Sequence, residues 1–211
     1  MSSINYELYT WPTPNGQKVS IMLEELGVSY QVIPIDITSG KQNEKAFKDI
    51  SPNGKIPILK DLKENLYLME SGVILHYLAR KYDQFLPSDN KSYYEVMQWL
   101  FFQVGHVGPM LGQNHHFNFY NKDVSPYAEQ RYIAETYRLY EVLDSRLSTR
   151  TYIAGDYSIA DIATWPWVSR FPRQSVELER YPHVLRWYQS IAQRDAVQRG
   201  FKVLAENEVI P

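Results

Sequence analysis

The chain of 211 residues is 44% hydrophobic and 22% charged, carries a net charge of −2 and contains no cysteine. These proportions describe an ordinary globular protein with one sizeable core or two modest domains. The near-balanced charge leaves no basic field for nucleic acid or anionic lipid, and the lack of thiols excludes disulfides, thiolate metal sites and a protein-borne redox cysteine. No apolar run approaches the roughly 20 residues that cross a bilayer. The opening "MSSINYELYT" lacks the basic, apolar and small-residue order of a secretory signal, so a cytoplasmic protein is expected.

In chain order, "YELYT" (6–10) suits a short strand, rich in tyrosine and threonine. The turn "WPTPNG" follows, and Val19, Met22, Leu23 and Leu26 then recur at helical spacing, with Asn15 as the expected N-cap and Gly27 as the C-cap. "SYQVIPID" (29–36) is strand-like, and its Pro34 points to a sheet edge. Residues 42–50 fit a short helix ended by the turn "SPNG". "KIPIL" and "LYLM" read as two further strands, and the short gap between them favours an antiparallel hairpin. In "ESGVILHYLARKY", Ile74, Leu75 and Leu78 share a helix face behind Ser71, which is expected to cap it.

The order is therefore β-α-β-α-β-β-α, followed by a polar, proline-containing linker at 83–90 and a helical region from 91 onward. In the latter, Tyr132, Thr136, Leu139, Tyr140, Leu143 and Leu147 form one stripe, and "SIAD" (158–161) has capping-box spacing before an apolar run. The five tryptophans, Trp165 and Trp167 among them, are expected in the core. "NHHFNFY" is read as a loop. Its adjacent His115 and His116 cannot share a helix face as metal ligands do, and no metal is expected.

Two local patterns carry chemistry. Ile56-Pro57 at a strand entry adopts either peptide isomer; the cis form would turn the Ile56 backbone outward as a peptide-binding pair. Glu70-Ser71 at a helix start is either a plain cap with a dipole-favoured acid, or a receptor for the ammonium and carboxylate of an amino-acid head group. Composition and spacing leave both alternatives open.

Together with the element order, the strings "PTPNGQK", "SPNGKIP", "ESGVILHYLARKY", "QWLFFQVGHVGPMLGQNHHF" and "YSIADIATWPWV" resemble the glutathione transferase superfamily over nearly the whole chain, in particular its bacterial Nu-class disulfide-bond oxidoreductases and the related Ure2-like domain. The resemblance implies a thioredoxin-like glutathione-binding domain at 1–82 and an all-helical domain at 91–211. It implies bound glutathione, reduced or as its disulfide, with small disulfides as substrates and a homodimeric assembly. It places Thr13 and Asn15 beside the glutathione sulfur as catalytic groups. Ile56 and cis-Pro57 would pair with the cysteinyl part, Glu70 and Ser71 would hold the γ-glutamyl end, Gln42 would meet the glycine end, and Lys55 would pair with a carboxylate. Arg131 would face a carboxylate of a second glutathione; read alone, it is a surface ion-pair member beside Glu129 and Glu135. The cysteine-free chain would thus borrow its thiol from glutathione. Conjugation of glutathione to electrophiles, in a pocket lined by Trp11, Phe117 and Phe119, and a regulatory, non-enzymatic Ure2-like role are the alternatives. The sequence carries no Asn/Gln-rich segment of the kind that supports the last. Tyr9 lies near the place of the thiol-activating tyrosine in other branches, but strand-core packing is the preferred reading.

Overall fold

Alternation along the first strand sets the geometry of the α/β unit. In β1 (Tyr6–Thr10), Tyr6, Leu8 and Thr10 are buried, while Glu7 and Tyr9 take the opposite face. The computed structural model describes residues 4–211, so the first three residues of the stretch read for a secretory signal lie outside the description. β1 pairs in parallel with β2 (Tyr30–Pro34) and antiparallel with β3 (Ile58–Asp61), which pairs antiparallel with β4 (Leu66–Leu68). The sheet order is β2-β1-β3-β4, and Pro34 ends an edge strand where its missing N–H costs no ladder bond.

Helix α1 (Pro14–Leu26) is buried on nearly all sides through its first three turns. It packs against α3 (Ser71–Tyr82), and a further helix, α9 (Asp195–Phe201), returns from the far end of the chain to cover it. A Cβ at Gly200 would lie 2.5 Å from the Ile21 Cα, so the α1–α9 approach is as close as two backbones allow. The last carbonyls of α9 are satisfied from α1: Ser20 Oγ donates to Gly200 O at 2.7 Å and Gln17 Nε2 to Phe201 O at 3.0 Å. These bonds explain why polar residues sit in the buried stretch of α1.

The chain forms two compact units, the first reaching Gln84 and including Arg194–Val209, the second spanning Phe85–Gln193 with Ile210–Pro211. In the first unit, the helix expected over 42–50 is reduced to a 3-10 turn (Lys41–Asn43) and the single-turn α2 (Lys45–Lys48). The β3 ladder begins at Ile58, later than "KIPIL" indicates, because proline cannot donate to it. The second unit is helical: α4 (Asn90–Phe102), α5 (Gly108–Asn114), α6 (Pro126–Leu147), α7 (Ile159–Val168) and α8 (Pro182–Ala192). "NHHFNFY" is helical as well, not a loop: residues 103–107 and 115–120 are wide π-helical turns at either end of α5. No helix among the described residues is long and apolar enough to cross a membrane.

In α6, Thr136, Leu139, Tyr140, Leu143 and Leu147 are buried along the expected stripe. The Ser158–Asp161 capping box starts α7 as expected. Of the tryptophans, Trp165, Trp167 and Trp187 are core residues, whereas Trp11 and Trp99 are only half-buried.

Candidate functional site

The turn between β1 and α1 is built around Thr13, not Asn15. Thr13 is extended (φ −120°) and its Oγ1 accepts from Gly16 N at 3.3 Å, which makes it the N-cap; Pro14 then takes the first helical position, where a missing N–H is harmless. Asn15 lies inside the helix, two residues too late to cap it. Because the Thr13 hydroxyl accepts that bond, its own proton stays available to a group in front of the helix. Gly16 admits no side chain: a Cβ there would lie 2.4 Å from both Thr10 Oγ1 and Trp11 O. The strand end and the helix start are pressed together at this glycine.

A pocket of about 290 Å³ opens at the start of α1, lined by Asn15, Ser51, Asn53, Lys55, Ile56, Pro57, Met69, Glu70 and Ser71. The Ile56-Pro57 bond is cis. Ile56 precedes the first ladder pair (Tyr9 with Ile58), so its backbone groups lie outside the sheet pairing and on the pocket wall. Ser51, buried and overlooked in the sequence, fixes the loop beneath: its Oγ donates to Lys55 O at 2.8 Å and accepts from Lys55 N at 3.2 Å. The only sequence signal for it is its place at the head of the "SPNG" turn.

Glu70, not Ser71, is the N-cap of α3, and its side chain caps nothing. It holds φ 68°, ψ 110°, a conformation that costs a non-glycine residue on the order of 1–3 kcal/mol. Its exposed carboxylate and the adjacent Ser71 both line the pocket. Beneath them lies Lys18, 2% exposed, whose Nζ donates to Ser71 Oγ at 3.3 Å. Burial lowers the Lys18 amine to about 7, against a smaller upward pull from the Glu70 carboxylate. Sequence reasoning missed this residue, yet a signal existed. Lys18 stands three and four positions before Ile21 and Met22, on the apolar stripe of α1.

The structure thus gathers Asn15, Lys55, Ile56, Pro57, Glu70 and Ser71 around one cavity. Thr13 sits at the adjacent helix mouth. Gln42 is not on the lining: its Nε2 turns back to Ile37 O at 3.2 Å, and its Oε1 is buried with no hydrogen-bond partner. Arg131 belongs to the helical unit, where it lines a separate cavity of about 680 Å³ with His106, Met110, Tyr127, Gln130, Glu135 and others. The carboxylates beside it are engaged elsewhere, since Glu135 pairs with Arg138 at 2.6 Å and Glu129 accepts from Ser125 N at 3.3 Å.

Tyr9 is not a strand-core residue. It stands half-buried on the face opposite Leu8, donates to Glu7 Oε2 at 2.8 Å and lies against the Tyr67 ring at 6.3 Å. Burial and the Glu7 carboxylate push its hydroxyl well above the usual tyrosine range, the reverse of what a thiol-activating phenolate needs. His115 is buried against Trp167, and burial pulls its imidazole down to about 4. Among the described residues no group of three or more His, Asp or Glu side chains is placed to hold a metal ion.

Comparison with known proteins agrees with this architecture. Residues 4–80 match the N-terminal domain model of glutathione S-transferase and residues 117–195 match its C-terminal domain model. The disulfide-bond oxidoreductase YfcG of Escherichia coli is 47% identical over 196 residues, covering 90% of this chain and 91% of its own. Among solved structures, a glutathione transferase from Pseudomonas putida with one glutathione disulfide bound per subunit superposes with a TM-score of 0.90 at 40% identity, covering 94% of this chain and 91% of that one. A glutathione transferase from Burkholderia graminis with two glutathione molecules bound per subunit gives 0.89 at 40% identity, covering 94% and 88%. A mixed four-stranded sheet unit with a helical unit, matched by both halves of the family model, admits one conclusion: the chain belongs to the glutathione S-transferase family.

Proposed function

We propose that this protein is a glutathione-dependent disulfide-bond oxidoreductase whose nucleophile is the thiol of glutathione. The observation that carries the reading is the cavity at the mouth of α1, which brings Glu70 and Ser71 together with Ile56 and a helix N-terminus in a chain without cysteine. The likeness to YfcG, a disulfide-bond oxidoreductase, and to structures holding glutathione or its disulfide supports it.

In this reading glutathione lies across the cavity. Glu70 takes the α-ammonium and Ser71 with the first N–H groups of α3 takes the α-carboxylate. The Ile56 backbone pairs with the cysteinyl residue as a short added strand, and Lys55 meets the glycine carboxylate. The sulfur then faces the start of α1, where the positive end of the helix dipole, the Thr13 hydroxyl and the Asn15 amide favour thiolate over thiol. The thiolate attacks one sulfur of a substrate R–S–S–R, forming a glutathione–R mixed disulfide and expelling RS⁻, which takes a proton. A second glutathione thiolate attacks the glutathione sulfur of that intermediate, releasing the second RSH and glutathione disulfide. The sum is RSSR + 2 GSH → 2 RSH + GSSG. The protein contributes positioning and thiolate stabilisation. Arg131 in its own cavity of the helical unit offers a guanidinium to a carboxylate of the second glutathione. Gln42 joins the glycine end only on releasing Ile37.

On this reading the protein works in the cytoplasm, where reduced glutathione is supplied. The exposed Leu62 just after β3, Leu66 on β4 and Val73 in α3 are apolar side chains of the α/β unit suited to a homodimer contact. The test is reduction of hydroxyethyl disulfide by glutathione, with wild type beside Thr13→Ala and Asn15→Ala. Each variant should lose about tenfold to a hundredfold in kcat, with smaller changes in KM. Turnover undiminished in both would sink the reading.

A further inference from the structure

Lys18 has no part in the reaction as written above, yet it is the one lysine of α1 and it is buried. Burying an amine is unfavourable unless something specific holds it. Its Nζ reaches 3.3 Å to Ser71 Oγ, and Ser71 is the first residue of α3 and part of the cavity wall. The neighbouring Glu70, whose carboxylate interacts with the same amine, is held in a left-handed conformation at the cavity rim. An ammonium has three donors and no acceptor, so in this bond Ser71 must accept. Its hydroxyl proton is then directed to another acceptor, and the cavity is where a ligand carboxylate would supply one. The chain of donors runs from ammonium to hydroxyl to carboxylate, one positive charge removed from the ligand.

On the reading that this cavity binds glutathione, we propose that Lys18 is a positioning residue for the γ-glutamyl head group: its ammonium orients the Ser71 hydroxyl toward the α-carboxylate. Recognition of a free amino-acid head, as opposed to any peptide, then depends on a residue that never touches the ligand. An amine lowered to about 7 is poised to gain a proton when an anion arrives nearby, so its charge strengthens as the site fills.

Two ligands separate this role from a merely structural one. Glutathione carries the α-carboxylate; 4-aminobutanoyl-cysteinylglycine is the same peptide without it. Dissociation constants for both are measured by calorimetry on wild type, Lys18→Met and Lys18→Gln, the glutamine variant serving if the methionine variant does not fold. Loss of the charge should weaken glutathione about tenfold, as for a hydrogen bond to a charged group, and should change the decarboxylated analogue less than twofold. Equal weakening of both ligands, or of neither, overturns the proposal. Wild type that binds no glutathione at all would instead sink the reductase reading itself.

Discussion

Lys18 in the α/β unit and Asp161 in the helical unit are both buried charge-bearing side chains near the start of a helix, and the two are treated in opposite ways. Asp161, in the helical unit, is enclosed by donors: Ile153 N at 2.9 Å and Trp187 Nε1 at 2.8 Å on Oδ1, with Ser158 N at 3.1 Å and Ser158 Oγ at 3.2 Å on Oδ2. Every one of those partners is a core or cap group, so the carboxylate ties α7, α8 and the preceding turn together. Burial alone pushes it up, to about 6, against the pull of these donors. Lys18, in the α/β unit, instead bonds to a serine on a cavity wall. Burial by itself therefore does not mark function. What the buried group is turned toward does.

The sharpest way to break that contrast is Asp161→Ala. It strands several buried donors and should cost about 4 kcal/mol in urea unfolding, while the protein that remains folded keeps its glutathione affinity within twofold. A large affinity loss would erase the distinction between the two charges.

Lys18→Met should act the other way on stability. The folded amine titrates near 7 and the unfolded one near 10.5. Below 7 both states hold the proton and the burial penalty is complete. Between 7 and 10.5 the unfolded chain binds more protons, so wild-type stability rises with pH. Relative to Lys18→Met it should gain about 1.4 kcal/mol per pH unit in that window, read from urea melts at pH 7 and pH 9. A difference independent of pH would mean that the amine stays charged when buried. The smallest effect belongs to Tyr9→Phe: with its hydroxyl committed to Glu7, kcat should change less than twofold, and a tenfold loss would restore tyrosine to the mechanism.

The order of elements, the edge position of Pro34, the Gly27 C-cap and the Ser158–Asp161 box were legible because each rests on periodicity or on residues within one turn of each other. Caps were harder where two capping residues competed: Thr13 and Asn15 both qualify by type, and only the proline between them, fitted to the first helical position, decides for Thr13. At α3 the decision fell to Glu70, a poor cap by preference, because the chain turns there through positive φ. The face of Tyr9 was misjudged since a strand alternates while sequence alone does not say which face meets the core.

By itself the sequence determined an α/β unit followed by helices, the absence of any thiol of its own, and a Glu-Ser pair at the start of a helix, since these follow from local pattern and composition. Only the tertiary structure decided that Lys18 lies under Ser71, that Ser51 clamps the loop at Lys55, that Gln42 turns away and that α9 closes over α1. The α9–α1 and Lys18–Ser71 bonds join groups 53 to 184 positions apart, and the Ser51 and Gln42 bonds, though local, follow from how irregular loops are held by the fold around them. Backbone periodicity carries no record of either.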